Sequence, residues 1–223
     1  LQNINDVDFY NEDSFLTLDI TARRNLELTE TQIRREKKGS LLWVLDHTKT
    51  AMGKRLIRNW VEQPLINYSS IILRQNAVEE LTCDTILLDS LMSYLSDMFD
   101  IERIMTRVVY GSANARELRS LCSAFKNLPQ ISQQIYACKS SVLKDIYKEL
   151  DTLDDMYELI NSAIVDDPPF SVREGGMIKK GYSKELYEIS TDMDDSTTLL
   201  AKIELQQKEQ TGIPKLKVGY NRV

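Results

Sequence analysis

The chain has 223 residues, of which 42% are hydrophobic and 28% are charged, and its formal net charge is −6. This composition suits one globular domain, or one large and one small, with enough apolar side chains for a packed core. It excludes a chain that is basic throughout and binds nucleic acid by composition alone. Because no run of about 18 apolar residues occurs, the sequence also predicts no membrane span.

Charge is distributed unevenly along the chain. Residues 18–74 carry a net charge of +5, residues 139–200 a net charge of −7, and residues 202–223 a net charge of +3. An acidic middle between two basic ends leaves both ends available to polyanions. The alternative is that these charges only solvate the outer faces of helices.

The segment LDITARRNLEL, residues 18–28, places two arginines inside an apolar frame. We expect Arg23 and Arg24 to be structural, with their stems on apolar surface and their guanidinium groups bonded to carbonyls or acids of neighbouring helices. Contact with phosphate is the competing interpretation.

Helical spacing of apolar residues dominates the chain from residue 50 to residue 164. Thr48 or Thr50 can cap a helix that Pro64 ends, and Asn114 with Glu117 has the spacing of a capping box. The first of these helices carries an apolar stripe formed by Met52, Leu56, Ile57, Trp60 and Val61. Residues 142–164 are expected to form one helix of about six turns.

The following segment, DDPPFSVREGGMIKKGY, breaks this pattern with two prolines and three glycines. We expect a loop with a tight turn at Gly175-Gly176 and a small hairpin within 170–182. Ser183 can cap a long, weakly apolar helix to about residue 210, which would measure about 40 Å. After Gly212 and Pro214, the alternation of Leu216, Val218 and Tyr220 predicts a half-buried strand, which needs partners from elsewhere.

Motifs for catalysis and metal binding are missing from the sequence. The chain has a single histidine, His47, and no P-loop, GxGxxG or GxSxG pattern. Its aspartate pairs at 154–155, 166–167 and 194–195 are expected to be surface charges. Three cysteines without CxxC spacing are expected to be reduced thiols of a cytosolic protein. We therefore expect no enzyme activity, no metal site and no cofactor in this chain.

Five blocks occur in order along the chain: FLTLDITARRNLELTET, GSLLWVLDHTKTAMGKRLIRNWVEQPLIN, RQNAVEEL, DIERI and VREGGMIKKGYSKELYEI. Together they resemble the core, or lever, region of the MutS family of DNA mismatch-recognition proteins. The closing GIPKLKVGYNRV resembles the entry into the clamp domain of that family, so the likeness runs from about Phe15 to Val223. Tyr187 departs from the family, which usually has an acidic residue there, and this weakens the case for a charge contact at that position.

The resemblance implies a mainly α fold with a helical core, a long projecting lever helix and the start of a small β clamp at the C-terminal tip. It implies a core domain over 1–182, a lever helix over 183–210 and the beginning of the clamp over 211–223. The chain begins with Leu1 rather than Met, which agrees with a piece of a longer protein.

In that longer protein, the resemblance implies a mismatch-reading domain before Leu1 and a P-loop ATPase after Val223. It further implies ATP with Mg²⁺ as cofactors, double-stranded mismatched DNA as the ligand, a homodimer around the DNA, and a bacterial, cytoplasmic and nucleoid-associated location. The expected function is therefore that of a connector between the DNA-holding clamp and the ATPase.

We expect DNA contact only at the C-terminal tip. Lys215 and Lys217 lie on the same face of the predicted strand, about 7 Å apart, which is close to the phosphate spacing along one DNA strand. Asn221 and Arg222 flank the same strand, although Arg222 has the opposite parity. The alternative functional class is a helical protein–protein interaction scaffold unrelated to DNA, which would have no need for cations at this end.

Overall fold

The structure is a computed structural model that describes residues 15–213 and 216–217, and for residues 192–198 and 202 it describes the backbone alone. Helix is its main element, which confirms the predicted fold class. In chain order the α-helices are α1 Ile20–Asn25, α2 Leu41–Leu45, α3 Ala51–Glu62, α4 Tyr68–Cys83, α5 Thr85–Ser96, α6 Ile101–Val109, α7 Ala115–Phe125, α8 Leu128–Tyr136, α9 Ser141–Glu149, α10 Asp154–Ala163 and α11 Lys184–Thr211.

The predicted helix caps are present. The Thr50 hydroxyl accepts a hydrogen bond of 2.9 Å from the Gly53 N–H at the start of α3, and α3 ends at Glu62, two residues before Pro64. At α7, Asn114 and Glu117 form both hydrogen bonds of the capping box. These predictions succeeded because a cap depends only on residues within one turn of the helix end.

Three clusters of buried side chains form the interior. The C-terminal core joins α6, α7, α8 and α10, and the middle core joins α4, α5, α8 and α9. Leu150 packs against both. The smaller N-terminal core consists of Leu28, Leu42 and Val61. The helical body is therefore continuous from α4 to α10, with α1 to α3 built on a core of their own.

The predicted single helix over 142–164 is wrong, because the chain breaks between α9 and α10. Leu150 is extended, and Leu153 has a left-handed φ of 52°. The Asp151 carboxylate accepts a hydrogen bond of 3.0 Å from the Leu153 N–H, and the Thr152 hydroxyl donates to Asp154 at 2.6 Å. Short polar side chains that bond locally in this way compete with helical hydrogen bonds and favour a turn. The apolar spacing continues across this turn, which is why it predicted a single helix.

The predicted hairpin within 170–182 is also wrong in its pairing. Val172–Glu174 instead form a single 3-10 turn. The Val165 N–H donates to the Met177 carbonyl at 3.0 Å, and the Lys179 N–H donates to the Ala163 carbonyl at 2.8 Å. Residues 177–179 thus pair with the end of α10. Among the described residues, extended backbone pairs only at this site, through Ile164 and Ile178, and between Phe15 and Leu65.

Candidate nucleic-acid interface at the end of the long helix

Helix α11 is much longer than the other helices of the described residues. It has 28 residues, which corresponds to about 42 Å. The Ser183 hydroxyl caps its start by accepting from the Leu186 N–H at 3.3 Å. No described side chain of α11 is buried, and none of the closely packed helix pairs includes α11. The helix therefore leaves the body, as its low apolar content predicts.

The base of α11 is fixed to the body by the segment that precedes it. Met177 packs against the C-terminal core, next to the backbone pairing with the end of α10. The Lys179 ammonium lies 3.5 Å from an oxygen of Asp166, and Arg119 of α7 donates to the same carboxylate at 2.7 Å. Arg119 also donates to Asn161 of α10 at 3.0 Å. This network links the start of the long helix to α7 and α10.

A groove of about 290 Å³ lies beside the first turns of α11. Its wall on one side is the glycine-containing loop 175–181, and on the other it is formed by Leu186, Tyr187 and Ser190. Gly175 and Gly176 have φ values of 71° and 72°, in the region that glycine adopts without strain. An open groove therefore separates this loop from one side of the first turns of α11.

Local hydrogen bonds close the far end of α11. Gly212 is in the left-handed conformation with φ 64°, and its N–H donates to the Lys208 carbonyl at 2.9 Å. Lys208 forms an ion pair of 2.6 Å with Glu204, one turn earlier. A glycine in this position ends a helix at little conformational cost. The chain therefore turns away at Gly212, which is where the sequence predicted the helix to end.

Of the four predicted DNA contacts, the structure describes Lys217. It is exposed, just beyond the end of α11, and makes no hydrogen bond or ion pair within the described part of the chain. Its neighbour Leu216 is half-buried and donates its N–H to the Ile213 carbonyl at 3.3 Å. Neither residue is in a strand. Lys215, Asn221 and Arg222 lie outside the described residues, as does most of the predicted strand.

Comparison with known proteins identifies the family. The family described as MutS domain III matches residues 21–215. The chain belongs to this family. It is 48% identical to the DNA mismatch repair protein MutS of Clostridium novyi, and 44% identical to those of Clostridium perfringens and Acetivibrio thermocellus. Each alignment covers 100% of this chain but only 24%, 24% and 26% of the respective relative. The chain therefore spans about a quarter of the length of these curated MutS proteins.

The arginine pair at the start of this MutS domain III divides into two roles. Arg23 donates from Nε to the Leu18 carbonyl at 3.0 Å, and its guanidinium lies 3.9 Å from the Glu62 carboxylate at the end of α3. The Arg24 side chain is exposed and makes no hydrogen bond or ion pair with any residue between 15 and 213. The structural role predicted for both arginines thus belongs to Arg23.

The apolar stripe of α3 is only partly covered by the rest of the described chain. Val61 is buried, but Leu56 is 50% exposed and Trp60 is 39% exposed. Trp60 and Val61 instead line a groove of about 630 Å³ between α3 and α4. Helical spacing identifies an apolar face but does not say whether a partner covers it. Sequence reasoning also missed a second contribution to this exposed apolar surface, the run LLWVL just before α3. Within that run only Leu42 is buried.

The polar residues considered for catalysis or metal binding are exposed or form ion pairs in this MutS domain. His47 is exposed, and Asp166 is engaged by Arg119 and Lys179. Within residues 15–213, no group of three or more His, Cys, Asp or Glu side chains could hold a metal ion. In the same part of the chain, no helix is both long enough and apolar enough to cross a bilayer.

Proposed function

We propose that this chain is the central connector of a MutS-type mismatch recognition protein, in which it links a DNA-holding clamp to an ATPase. Residues 1–182 would form the core domain, residues 183–210 the lever helix and residues 211–223 the beginning of the clamp. The observation that carries this proposal is the geometry of α11, whose base is fixed to α7 and α10 while its length is exposed. A helix held at one end can transmit a displacement to the other.

DNA contact is assigned in this proposal to Lys215, Lys217, Asn221 and Arg222. The exposure of Lys217 beyond the helix end supports it, as does the net charge of +3 over residues 202–223. Lysines two positions apart on an extended segment point to the same side, about 7 Å from each other. They can pair with successive phosphates without reading the base sequence.

The activity proposed for the intact protein follows from its relatives. The relatives that align with this chain over its whole length are named DNA mismatch repair protein MutS. The intact protein would bind double-stranded mismatched DNA as a homodimer in the bacterial cytoplasm, associated with the nucleoid. ATP and Mg²⁺ would bind in its ATPase domain rather than in this chain, which would have no catalytic site.

The test replaces Lys215 and Lys217 with alanine in the intact protein. Binding to matched and mismatched duplexes should weaken alike, because phosphate contacts do not depend on sequence. The slope of log affinity against log salt concentration should also fall by up to about 2, since each lost phosphate contact releases about one counterion fewer. Fluorescence anisotropy of labelled duplexes at several salt concentrations measures both effects.

The matched control is a double alanine variant of Lys180 and Lys184. Both lysines are exposed, but they lie at the base of α11, about 40 Å from the tip. This variant removes the same charge and should leave the salt slope unchanged. An unchanged slope in the tip variant, or a loss confined to mismatched DNA, would show that the tip does not hold the backbone. Equal losses in both variants would point to a general effect of net charge.

A further inference from the structure

An open apolar groove lies between α3 and α4. It has a volume of about 630 Å³ and is lined mostly by apolar side chains, among them Leu45, Trp60, Leu65, Ile71 and Val78. Val78 is 59% exposed, in the middle of α4. A groove of this size accommodates several apolar side chains, and a contiguous exposed apolar patch of this kind commonly marks a site of interaction.

Arg74 places a positive charge in the groove, next to Trp60. Its guanidinium carbon lies 3.8 Å from the centroid of the Trp60 ring, a cation–π arrangement. Burial lowers the pKa of Arg74, and the guanidinium forms no ion pair with any carboxylate of the described residues. Glu79, five positions further along α4, also lines the groove, so the positive charge is local to the Trp60 side. There an occupant that combines apolar side chains with an acidic one is favoured.

The chain itself enters the structure at one end of this groove. Phe15 forms an antiparallel bridge with Leu65, and the Leu16 N–H donates to the Pro64 carbonyl at 2.8 Å. Pro64 and Leu65 both line the groove. Because antiparallel partners run in opposite directions, a continuation of this pairing before Phe15 would run towards residue 66 and the start of α4.

Residues 1–14 have the composition that the groove favours. They include Asp6, Asp8, Glu12 and Asp13, with no lysine or arginine. Their apolar residues are Leu1, Ile4, Val7, Phe9 and Tyr10. At about 3.3 Å per residue, Tyr10 can lie up to about 17 Å from Phe15. The path from Leu65, where Phe15 pairs, to Tyr68 adds up to about 10 Å to the axial distance of about 15 Å from Tyr68 to Val78. Ile4 can lie up to about 36 Å from Phe15, so residues 4–10 are long enough to span the groove.

We propose that residues 4–10 of this chain occupy the groove between α3 and α4, with their apolar side chains against Trp60 and Val78 and an acidic residue paired with Arg74. The pairing at Leu65 makes this docking intramolecular. A short tether gives an effective concentration on the order of millimolar, so weak contacts suffice to fill the groove. The segment would then hold α3 against α4, two helices that otherwise share little direct contact.

Photo-cross-linking tests the position of the segment. Phe9 is replaced by p-benzoylphenylalanine in the 223-residue chain, and equal amounts of ¹⁴N- and ¹⁵N-labelled protein are mixed before irradiation. Mass spectrometry should find cross-links within one chain, to α3 or α4 residues that line the groove. Cross-links to other surfaces of the chain, or their absence, would overturn the proposal. Cross-links between labelled and unlabelled chains would overturn it in favour of a second copy as the occupant.

Fluorescence of Trp60 gives an independent measurement. In a Trp43→Phe background Trp60 is the only tryptophan, since the chain has two. Replacing Phe9 and Tyr10 with serine should raise its acrylamide quenching constant about twofold and shift its emission to longer wavelength. The control replaces Asn3 and Asn5 with serine and should change neither. Circular dichroism confirms that both variants keep their helix content, and equal quenching in variant and control would contradict the proposal.

Discussion

Arg23 shows how a single side chain can attach the segment before α1 to the end of α3. Its Nε bonds to the Leu18 carbonyl and its guanidinium faces Glu62, so it connects residues before α1 to the end of α3. Arg23→Ala should lower the free energy of unfolding by about 1–2 kcal/mol, since it removes a charge-assisted hydrogen bond and a partly exposed ion pair. Urea denaturation followed by circular dichroism measures the change.

Arg24→Ala is the control for that prediction, because Arg24 has the same chemistry in the adjacent position and is exposed. It should change stability by less than about 0.5 kcal/mol. If Arg23→Ala proved equally neutral, while the intact protein lost DNA affinity, the arginine would contact phosphate and its structural role would be refuted.

Asp46, in the turn between α2 and α3, should make the stability of the folded chain depend on pH. Its carboxylate accepts from the Lys37 ammonium, with which it forms an ion pair, and from the Thr48 hydroxyl at 2.6 Å. These bonds lower the pKa of Asp46 to about 2. The folded state therefore favours the ionised form, and this stabilisation is complete above the unfolded-state pKa of about 4 and is lost as the pH falls towards 2.

Asp46→Asn should accordingly destabilise the chain by about 1–2 kcal/mol at pH 7, and by roughly half as much at pH 3. Urea denaturation at the two pH values measures the difference between the variant and the natural chain. Asp145→Asn, which removes an exposed carboxylate on α9, is the control and should show no such trend. A deficit that stays constant between pH 7 and pH 3 would mean that the ionised carboxylate contributes nothing.

At the level of elements, α11 is expected to be less stable along its distal half than the helices of the body. Segments that bury few side chains open more readily, and no described side chain of α11 is buried. Amide hydrogen exchange should therefore be faster in residues 195–210 than in 142–149 and 154–160. Mass spectrometry of peptic fragments measures it, and equal protection in these segments would argue against a lever that moves independently of the body.

The elements also show which features can be predicted from sequence. Caps such as Thr50 and Asn114 are predictable because each acts within one turn. The break at Leu153 is not visible in the apolar spacing, since the spacing continues across it. The pairing of Met177 with Val165 depends on a contact between separate segments. At the candidate site, the helix end at Gly212 is confirmed, while DNA contact at Lys215 and Lys217 stays a prediction, because the sequence does not show where a distant ligand lies.

At the scale of the whole molecule, the N-terminal core and the helical body meet along the open groove between α3 and α4. Arg55 of α3 spans this boundary at another point. Its guanidinium donates two hydrogen bonds to Asp100, at 2.6 and 2.8 Å, and two to Glu102, at 2.6 and 3.0 Å. These bonds raise the pKa of Arg55 and lower that of Asp100. The bidentate geometry fixes the orientation of α3 relative to the start of α6.

Arg55→Ala should therefore loosen α1 to α3 while leaving the body folded. Amide exchange should accelerate in residues 51–62 and stay unchanged in residues 115–125, and thermal unfolding should broaden, because the two parts no longer unfold together. Arg58→Ala is the matched control on the same helix, since the ion pair of Arg58 is with Glu62, four residues away within α3, and it should leave both readouts unaltered. Faster exchange in α7 as well would show instead that Arg55 stabilises the entire chain as one cooperative unit.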